Sequence, residues 1–175
     1  MSLELYFLGA GKPANSDKPA ALKNIANNTK AMDWQLHSFK SNVNLNNTYF
    51  LGGYHIDDVI SAYPELNFSV SPDWEHSSAL STLLKAPFSA DKVVVTYSDT
   101  LFRENTIKEL VRLEGDICVV VDSKWRSRYQ GRSKEDMESA ETLNVNDELV
   151  EFTGLVKFSN NSFTTEAGLC TTSPA

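Results

Sequence analysis

The sequence predicts an α/β fold in which a mainly parallel sheet carries helices on both faces. Short apolar strands alternate with amphipathic helices between Leu3 and Val121, and most of these strands end in glycine or aspartate. The strands near the middle of the chain are continuous apolar runs, which is typical of strands covered on both faces. Alternating strands and helices imply right-handed crossovers and hence parallel pairing.

The first half of the chain predicts three strands and three helices. Apolar residues alternate or form short runs in the strands, whereas they recur every three or four residues in the helices. The strands are expected at residues 3–8, 48–51 and 66–70, and the helices at residues 29–39, 56–63 and 77–85. Three leucines of the last helix are expected to face the core: Leu80, Leu83 and Leu84.

The second half continues this alternation. Residues 92–97 and 117–121 are expected to be strands buried on both faces, with a helix at 104–113 between them. Shorter strands are expected at 140–145 and 150–158, and partial disorder in the apolar-poor residues 159–175. We expect one domain over residues 1–159, C-terminally truncated or complete, and a polar tail over residues 160–175.

Composition and charge disfavour nucleic-acid-binding and membrane-spanning proteins. The chain has 175 residues, 41% of them hydrophobic, and a net charge of -7. This charge disfavours a nucleic-acid partner, and no apolar run approaches the roughly 20 residues that a membrane span requires. No signal-peptide pattern is visible at the start, so we expect a cytoplasmic protein without a membrane or nucleic-acid partner.

A glycine turn follows the first predicted strand. Gly9 and Gly11 allow backbone N–H groups to approach a ligand, and Lys12 and Lys18 add positive charge after the turn. The pattern fits a phosphate-binding loop, but it also fits a tight turn followed by a solvated loop.

Other polar residues follow the predicted strands. Ligands bind at the carboxyl ends of strands in open α/β sheets, and Gly53, Asp99 and Asp122 lie at such ends. A carboxylate there can bind Mg²⁺ together with substrate phosphates, or it can cap the next helix. Sequence signatures of serine hydrolases, zinc hydrolases and P-loop NTPases do not occur.

A basic segment lies between Lys124 and Lys134. It contains five basic residues interleaved with Trp125 and Tyr129. The segment is either a solvated loop or a binding site for a small anionic substrate. In the second case, arginines would pair with a phosphate while the aromatic rings faced an ammonium group by cation–π contact.

The order of short blocks along residues 3–159 resembles the sugar-phosphate nucleotidyltransferase superfamily, and within it the phosphocholine- and phosphonate-type cytidylyltransferases with a MobA-like NTP transferase domain. These blocks are Phe7-Leu8-Gly9-Ala10-Gly11, Lys18-Pro19-Ala20-Ala21-Leu22, Gly52-Gly53-Tyr54, Tyr97-Ser98-Asp99 with Phe102, Val121-Asp122 with Trp125, Ala140-Glu141, and Glu151-Phe152-Thr153-Gly154-Leu155.

The resemblance implies a three-layer Rossmann-like nucleotidyltransferase fold and Mg²⁺-dependent transfer of a nucleotidyl group. The donor would be an NTP, with CTP favoured, and the acceptor a small phosphorylated or phosphonate compound. The expected catalytic residues are Lys18 and Asp99, with Asp99 also the Mg²⁺ ligand. Nucleotide binding is expected at Leu8, Gly9, Ala10, Gly11, Lys12 and Gly53. Separately from the resemblance, the composition of the basic segment leads us to expect acceptor binding at Asp122, Trp125, Arg128, Tyr129 and Arg132, with Arg126 as a further candidate.

Three departures from the family pattern keep alternatives open, and one of them is the short loop before Lys18. Lys12-Pro13-Ala14 stands where the family has an arginine after the glycine turn, and the family's second metal ligand on a C-terminal segment is not visible. An inactive nucleotide-binding or regulatory domain is therefore the main alternative. A glycosyltransferase would require an Asp-x-Asp motif, and Ser98-Asp99-Thr100 lacks the second aspartate.

Overall fold

A computed structural model describes residues 2–14, 16–115, 117–122, 124–138, 143–146, 149–152 and 169–171. The chain forms two compact units, Met1–Glu104 and Asn105–Ala175. The expected organisation, with one domain over residues 1–159 and a tail over residues 160–175, stays a prediction.

Most regular elements of the first unit match the pattern of the sequence. Its strands are β1 (Leu3–Gly9), β2 (Asn24–Ala26), β3 (Thr29–Lys30), β4 (Thr48–Gly52), β5 (Asn67–Val70) and β6 (Lys92–Tyr97). Its helices are α1 (Ala31–Phe39), α2 (Ile56–Ala62) and α3 (Ala79–Leu83), and short 3-10 turns lie at Ala20–Leu22 and Leu45–Asn47.

The first unit is organised around a four-stranded parallel sheet in the order β5-β4-β1-β6. The central strand β1 supplies much of the core, since Leu5, Tyr6 and Phe7 are at most 1% exposed. Phe50 of β4 is also fully buried. A parallel sheet flanked by helices confirms the predicted α/β class.

Two expectations about burial in this unit were wrong. Val93 and Val95 of the edge strand β6 are 38% and 37% exposed, so the face that carries these two side chains is partly open and β6 is not covered on both faces. Leu80 and Leu84 are 40% and 73% exposed. The helix there has only five residues, so it is too short to turn all three leucines toward the core; it buries Thr82 instead.

A small hairpin of β2 and β3 was not predicted. Asn27 and Asn28 connect the two strands with φ angles of 44° and 62°, in the left-handed region that asparagine tolerates better than most residues. The hairpin leads directly into α1, where the backbone N–H of Lys30 donates a 2.8 Å hydrogen bond to Asp33. The first helix therefore begins at a fixed position after the loop of the glycine turn.

The second unit contains the helix expected at 104–113 and strands that overlap those expected at 140–145 and 150–158, but its strand pairing differs from the predicted pattern. After α4 (Glu104–Arg112), which begins at the last residue of the first unit, come β7 (Ile117–Val119), α5 (Trp125–Arg128), α6 (Lys134–Glu138), β8 (Leu143–Asn146), β9 (Leu149–Phe152) and β10 (Leu169–Thr171). β7 pairs antiparallel with β10, and β8 pairs antiparallel with β9.

The expectation that residues 117–121 add a further parallel strand was wrong, because their partner is an antiparallel strand from the C-terminal residues. The expected disorder of 159–175 does not extend to β10, and the rest of that range lies outside the described residues. In the part of the chain that the structure describes, no helix combines the length and apolar character needed to cross a membrane.

Candidate nucleotide site and basic segment

The carboxyl ends of the parallel strands meet at one edge of the first unit's sheet. Gly9 lies opposite Gly52, and Leu8 lies opposite Tyr97. The backbone N–H of Ser98 donates a 2.9 Å hydrogen bond to the carbonyl oxygen of Leu8. The glycine turn, the Gly52-Gly53 pair and the residue before Asp99 therefore lie at the same sheet edge, as predicted.

The glycines at this edge are required for different reasons. A Cβ on Gly9 would overlap the Phe50 ring and lie 2.9 Å from the Ser98 hydroxyl oxygen. A Cβ on Gly53 would overlap Trp74 and lie 3.0 Å from the carbonyl oxygen of Ala10. A Cβ on Gly11 would meet no protein atom within 4 Å. Packing thus explains Gly9 and Gly53, whereas Gly11 leaves open space above the backbone where a ligand could approach.

The loops after β1 and β4 are tied to each other. The backbone N–H of Tyr54 donates a 2.9 Å hydrogen bond to the carbonyl oxygen of Ala10, and its hydroxyl donates one of 3.3 Å to the carbonyl oxygen of Asp17. The Tyr54 ring makes an edge contact with Trp74 at 5.1 Å between ring centroids. The backbone of the glycine turn is therefore held by tertiary contacts.

The two lysines of the loop have different surroundings. Lys12 forms a 3.2 Å ion pair with Asp17 and lies 5.3 Å from the centroid of the Tyr54 ring. The hydrogen bond with Asp17 raises the pKa of Lys12 above its ordinary value. Lys18 is exposed, and its backbone N–H and carbonyl both bond to the Ser16 hydroxyl. Its ammonium group forms no ion pair or hydrogen bond with any described residue, so it is available to an anion.

Helix α1 holds the segment that carries Asp99. The side-chain amide of Gln35 donates a 3.0 Å hydrogen bond to the carbonyl oxygen of Tyr97. Trp34 and Ser38 both donate to the carbonyl oxygen of Phe102, at 2.8 and 2.9 Å. These bonds fix the backbone on both sides of Asp99, whose own side chain is exposed.

The surroundings of Asp99 suit a metal ion that takes its other ligands from nucleotide phosphates and water. Among the described residues, no group of three or more His, Cys, Asp or Glu side chains is placed to hold a metal. Mg²⁺ commonly uses one or two protein carboxylates and completes its shell with phosphate oxygens and water. A single exposed carboxylate at the strand end suits that kind of site and not an all-protein cage.

In the second unit, the basic segment pairs each arginine with a specific neighbour. Arg128 binds both carboxylate oxygens of Asp122, through Nε to Oδ2 and through Nη2 to Oδ1 at 2.6 Å. The hydrogen bond from Arg128 lowers the pKa of Asp122 despite partial burial. Arg126 lies over the Trp125 ring at 5.4 Å. The predicted set is therefore assembled locally, with Asp122 occupied by Arg128 and not free for a metal.

The second arginine–aromatic pair of this segment has the shorter distance. Arg132 lies over the Tyr129 ring at 4.1 Å from its centroid, and the rings of Trp125 and Tyr129 meet edge to face at 5.5 Å. Two further blocks of the sequence pattern, Ala140-Glu141 and Thr153-Gly154-Leu155, lie outside the described residues.

Sequence reasoning missed two residues at the sheet edge. Trp74 packs on Gly53 and Tyr54, and Gln35 is fully buried beneath the end of β6. The strand-end rule, applied to β5 as it was to the other strands, would have pointed to the segment with Trp74. Gln35 had no comparable signal, because its importance depends on which strand end its helix covers.

One known protein with similar sequence and one with similar fold are nucleotidyltransferases. No family model matches the sequence. Over 173 aligned residues the chain is 23% identical to a CTP:phosphoglutamine cytidylyltransferase from Campylobacter jejuni, covering 84% of this chain and 67% of that protein. The fold matches a nucleotidyl transferase from Methanothermobacter thermautotrophicus with a TM-score of 0.57 and 12% identity, over 69% of this chain and 62% of the other.

This chain thus spans less than two thirds of the solved structure that it matches. At 12% identity that match concerns the fold alone, and the sequence match adds an independent likeness to an enzyme of the same kind. Together they support the relationship of this chain to the nucleotidyltransferase superfamily that its motifs predict.

Proposed function

We propose that this protein transfers a nucleotidyl group from an NTP, with CTP as the favoured donor, to a small phosphorylated or phosphonate acceptor. An oxygen of the acceptor's phosphate or phosphonate forms a bond to the α-phosphorus of the nucleotide. The bond from that phosphorus to the oxygen bridging to the β-phosphate breaks, and pyrophosphate leaves with the electron pair.

The observation that carries the proposal is the open space at Gly11, on a loop whose backbone is otherwise held in place. Gly9 and Gly53 are packed against side chains, and the backbone N–H of Tyr54 bonds to the carbonyl oxygen of Ala10, so contacts within the protein hold the loop. A preorganised backbone next to open space suits the approach of a phosphorylated ligand. Residues Leu8–Gly11 and Gly53 form the nucleotide site in this proposal.

Charge neutralisation is the main task of the remaining residues, because two anions must be brought together. Lys18 binds the phosphates of the donor with its available ammonium group, and Lys12 joins it when it exchanges Asp17 for a phosphate. Asp99 would hold Mg²⁺, which when bound neutralises phosphate charge. Helix α1 keeps Asp99 in place through Gln35.

The preference for CTP rests on likeness. The Campylobacter relative is a CTP:phosphoglutamine cytidylyltransferase, and the motifs resemble cytidylyltransferases of the phosphocholine and phosphonate type. Glycine turns and strand-end aspartates contact phosphates and metal ions and do not select a base, so the preferred donor nucleotide has to be measured directly.

Two measurements test the proposal. Calorimetric titrations with CTP, UTP, GTP and ATP, with and without Mg²⁺, measure donor binding; a pyrophosphate-release assay with phosphocholine, 2-aminoethylphosphonate and phosphoglutamine measures turnover. We expect CTP to bind most tightly and one acceptor to support release. CTP binding without release for any acceptor would instead favour an inactive nucleotide-binding domain.

The Asp99→Asn variant tests the metal assignment. We expect it to lose most Mg²⁺-dependent turnover, because the amide keeps the shape of the side chain and removes its charge. Asp57→Asn, at another exposed aspartate on α2, is the matched control and should retain activity. Unchanged turnover in Asp99→Asn would show that another group holds the metal.

A further inference from the structure

The carboxyl ends of the four parallel strands lie in a row along one edge of the first unit's sheet, in the order β5, β4, β1, β6. The glycine turn follows β1, and Asp99 follows the neighbouring edge strand β6. On the other side of the turn, Tyr54 follows β4 and Trp74 follows β5. Neighbouring strands lie about 4.8 Å apart, so β5 is about 10 Å from β1 along this edge. If the phosphates of a nucleotide lie between the turn and Asp99, this row leaves the ends of β4 and β5 for its nucleoside.

Trp74 lies directly against the loops of the candidate nucleotide site. A Cβ on Gly53 would overlap the Cβ of Trp74, lie 2.8 Å from its Cγ, and lie 3.0 Å from the carbonyl oxygen of Ala10. The first two side-chain atoms of Trp74 therefore pack on Gly53, next to the glycine turn. The side chain as a whole remains partly exposed, and its indole N–H donates no hydrogen bond to any residue that the structure describes.

Contacts on both sides hold the segment that carries Trp74. Before it, the backbone N–H of Ser71 donates a 2.7 Å hydrogen bond to the carbonyl oxygen of Gly52. After it, the Ser77 hydroxyl donates a 3.3 Å hydrogen bond to the carbonyl oxygen of Trp74. The Tyr54 ring meets the indole edge to face, at 5.1 Å between centroids. An aromatic side chain held in this way loses little conformational freedom when a ligand binds to it.

The two aromatic rings at this edge differ in what already surrounds them. Lys12 lies 5.3 Å from the centroid of the Tyr54 ring, and the His55 ring lies 4.4 Å from it. Among the described cations, none lies over the Trp74 ring. A partly exposed indole offers a flat surface for a nucleobase, because every base has a π-face, and its N–H can donate to a carbonyl oxygen of the base. Trp74 is therefore the side chain of this edge that suits a base.

We propose that Trp74 binds the base of the donor nucleotide through the exposed part of its indole ring. The nucleotide then lies along the sheet edge, with its base toward β5 and its phosphates toward β6. Tyr54 supports this arrangement, because it contacts both Trp74 and the glycine turn. This inference rests on the proposed nucleotidyl transfer and specifies how its donor is held.

The first test compares CTP with tripolyphosphate, which has the phosphates without the base. Trp74→Leu keeps the Cβ and Cγ that pack on Gly53 and removes the ring. In calorimetric titrations of the full chain, we expect this variant to bind CTP about tenfold more weakly or worse and tripolyphosphate as wild type does. Trp74→Phe, which restores a ring, should lie closer to wild type. Phe88→Leu, at an exposed ring that precedes β6, is the matched control and should bind CTP normally.

Two results of these titrations would overturn the proposal. Unchanged CTP affinity in Trp74→Leu would show that the ring does not contact the nucleotide. An equal loss of CTP and tripolyphosphate affinity would show that Trp74 only supports the glycine turn, through its packing on Gly53.

NMR spectroscopy tests the contact itself. Two-dimensional spectra resolve the indole N–H signals of the three tryptophans, and Trp74→Phe assigns one of them. We expect CTP and cytidine to shift the Trp74 signal more than tripolyphosphate does. A shift with tripolyphosphate as large as that with CTP would overturn the proposal, because the signal would then report the phosphates and not the base.

Parallel measurements separate this inference from the proposed function. If Trp74→Leu releases pyrophosphate with an unchanged KM for CTP, the transfer function stands and the base lies elsewhere. If CTP binding depends on the Trp74 ring as expected but no acceptor supports pyrophosphate release, the base contact stands and it is the transfer function that fails.

Discussion

The carboxylate of Glu4 accepts a 2.7 Å hydrogen bond from the hydroxyl of Tyr6, two residues further along the central strand. Both residues are buried, and the same carboxylate accepts bonds from the Ser89 hydroxyl at 2.5 Å and from its backbone N–H at 3.2 Å. Burial acts to raise the pKa of Glu4, but the bonds from Ser89 and Tyr6 outweigh it and hold the pKa below its ordinary value of 4.5.

This carboxylate makes stability depend on pH. Because the folded-state pKa is lowered, Glu4 contributes stability above pH 4.5 that is lost as the pH falls through its folded-state pKa. We expect Glu4→Gln to lower the free energy of unfolding by about 1–3 kcal/mol at pH 7. In urea unfolding, the difference from wild type should shrink below pH of about 4. Glu75→Gln, at an exposed glutamate, should show neither effect.

The two glycines of the turn should respond differently to alanine. Gly9→Ala places a Cβ against the Phe50 ring and should cost about 1–3 kcal/mol of unfolding free energy. Gly11→Ala meets open space and should unfold like wild type, but it should bind CTP more weakly if the nucleotide lies there. Thermal unfolding and calorimetry measure the two effects. Full CTP affinity in Gly11→Ala would place the nucleotide elsewhere.

Among the lysines near the loop, Lys18 should contribute to phosphate binding, whereas Lys23 should not. Lys18→Ala removes an ammonium group that has no partner among the described residues, so stability should be unchanged while CTP affinity falls about tenfold. Lys23→Ala is the matched control, because Lys23 is also exposed and follows the next turn. Equal effects of the two substitutions would indicate only a general influence of charge.

Lys12 forms an ion pair with Asp17, and a phosphate must compete for it. Asp17→Asn removes this competitor and should increase CTP affinity several-fold at low salt. The gain should shrink as ionic strength rises, which titrations at two salt concentrations would measure. A loss of affinity would mean that the Lys12–Asp17 ion pair supports the loop more than it competes with a phosphate.

Gln35 should affect turnover more than stability. Gln35→Leu loses the bond to the Tyr97 carbonyl but also removes a buried Oε1 that has no partner among the described residues, so the loss and the gain partly offset. We expect unfolding free energy to change by less than about 1 kcal/mol and kcat to fall with little change in CTP affinity. Ser38→Ala should have a smaller effect, since Trp34 still holds Phe102.

The sequence alone determined the local features of this protein. Apolar periodicity decided where β1, β4 and α1 lie, because burial of one face imposes its spacing on each element. The rule for strand ends brought the glycine turn, Gly53 and Asp99 together in advance, since parallel strands end at one sheet edge. These features depend only on neighbours along the chain or on a general property of the fold.

Tertiary structure decided what depends on partners distant in sequence. The apolar run of β6 does not indicate that this strand forms an edge of its sheet. Residues 117–119 likewise do not indicate an antiparallel partner at Leu169–Thr171, because an apolar run carries no information about which strand pairs with it. Likewise, the sequence does not distinguish Gly9 from Gly11, whereas the structure packs Phe50 against Gly9 and leaves open space at Gly11. Packing between separated segments, which has no local signature, made that distinction.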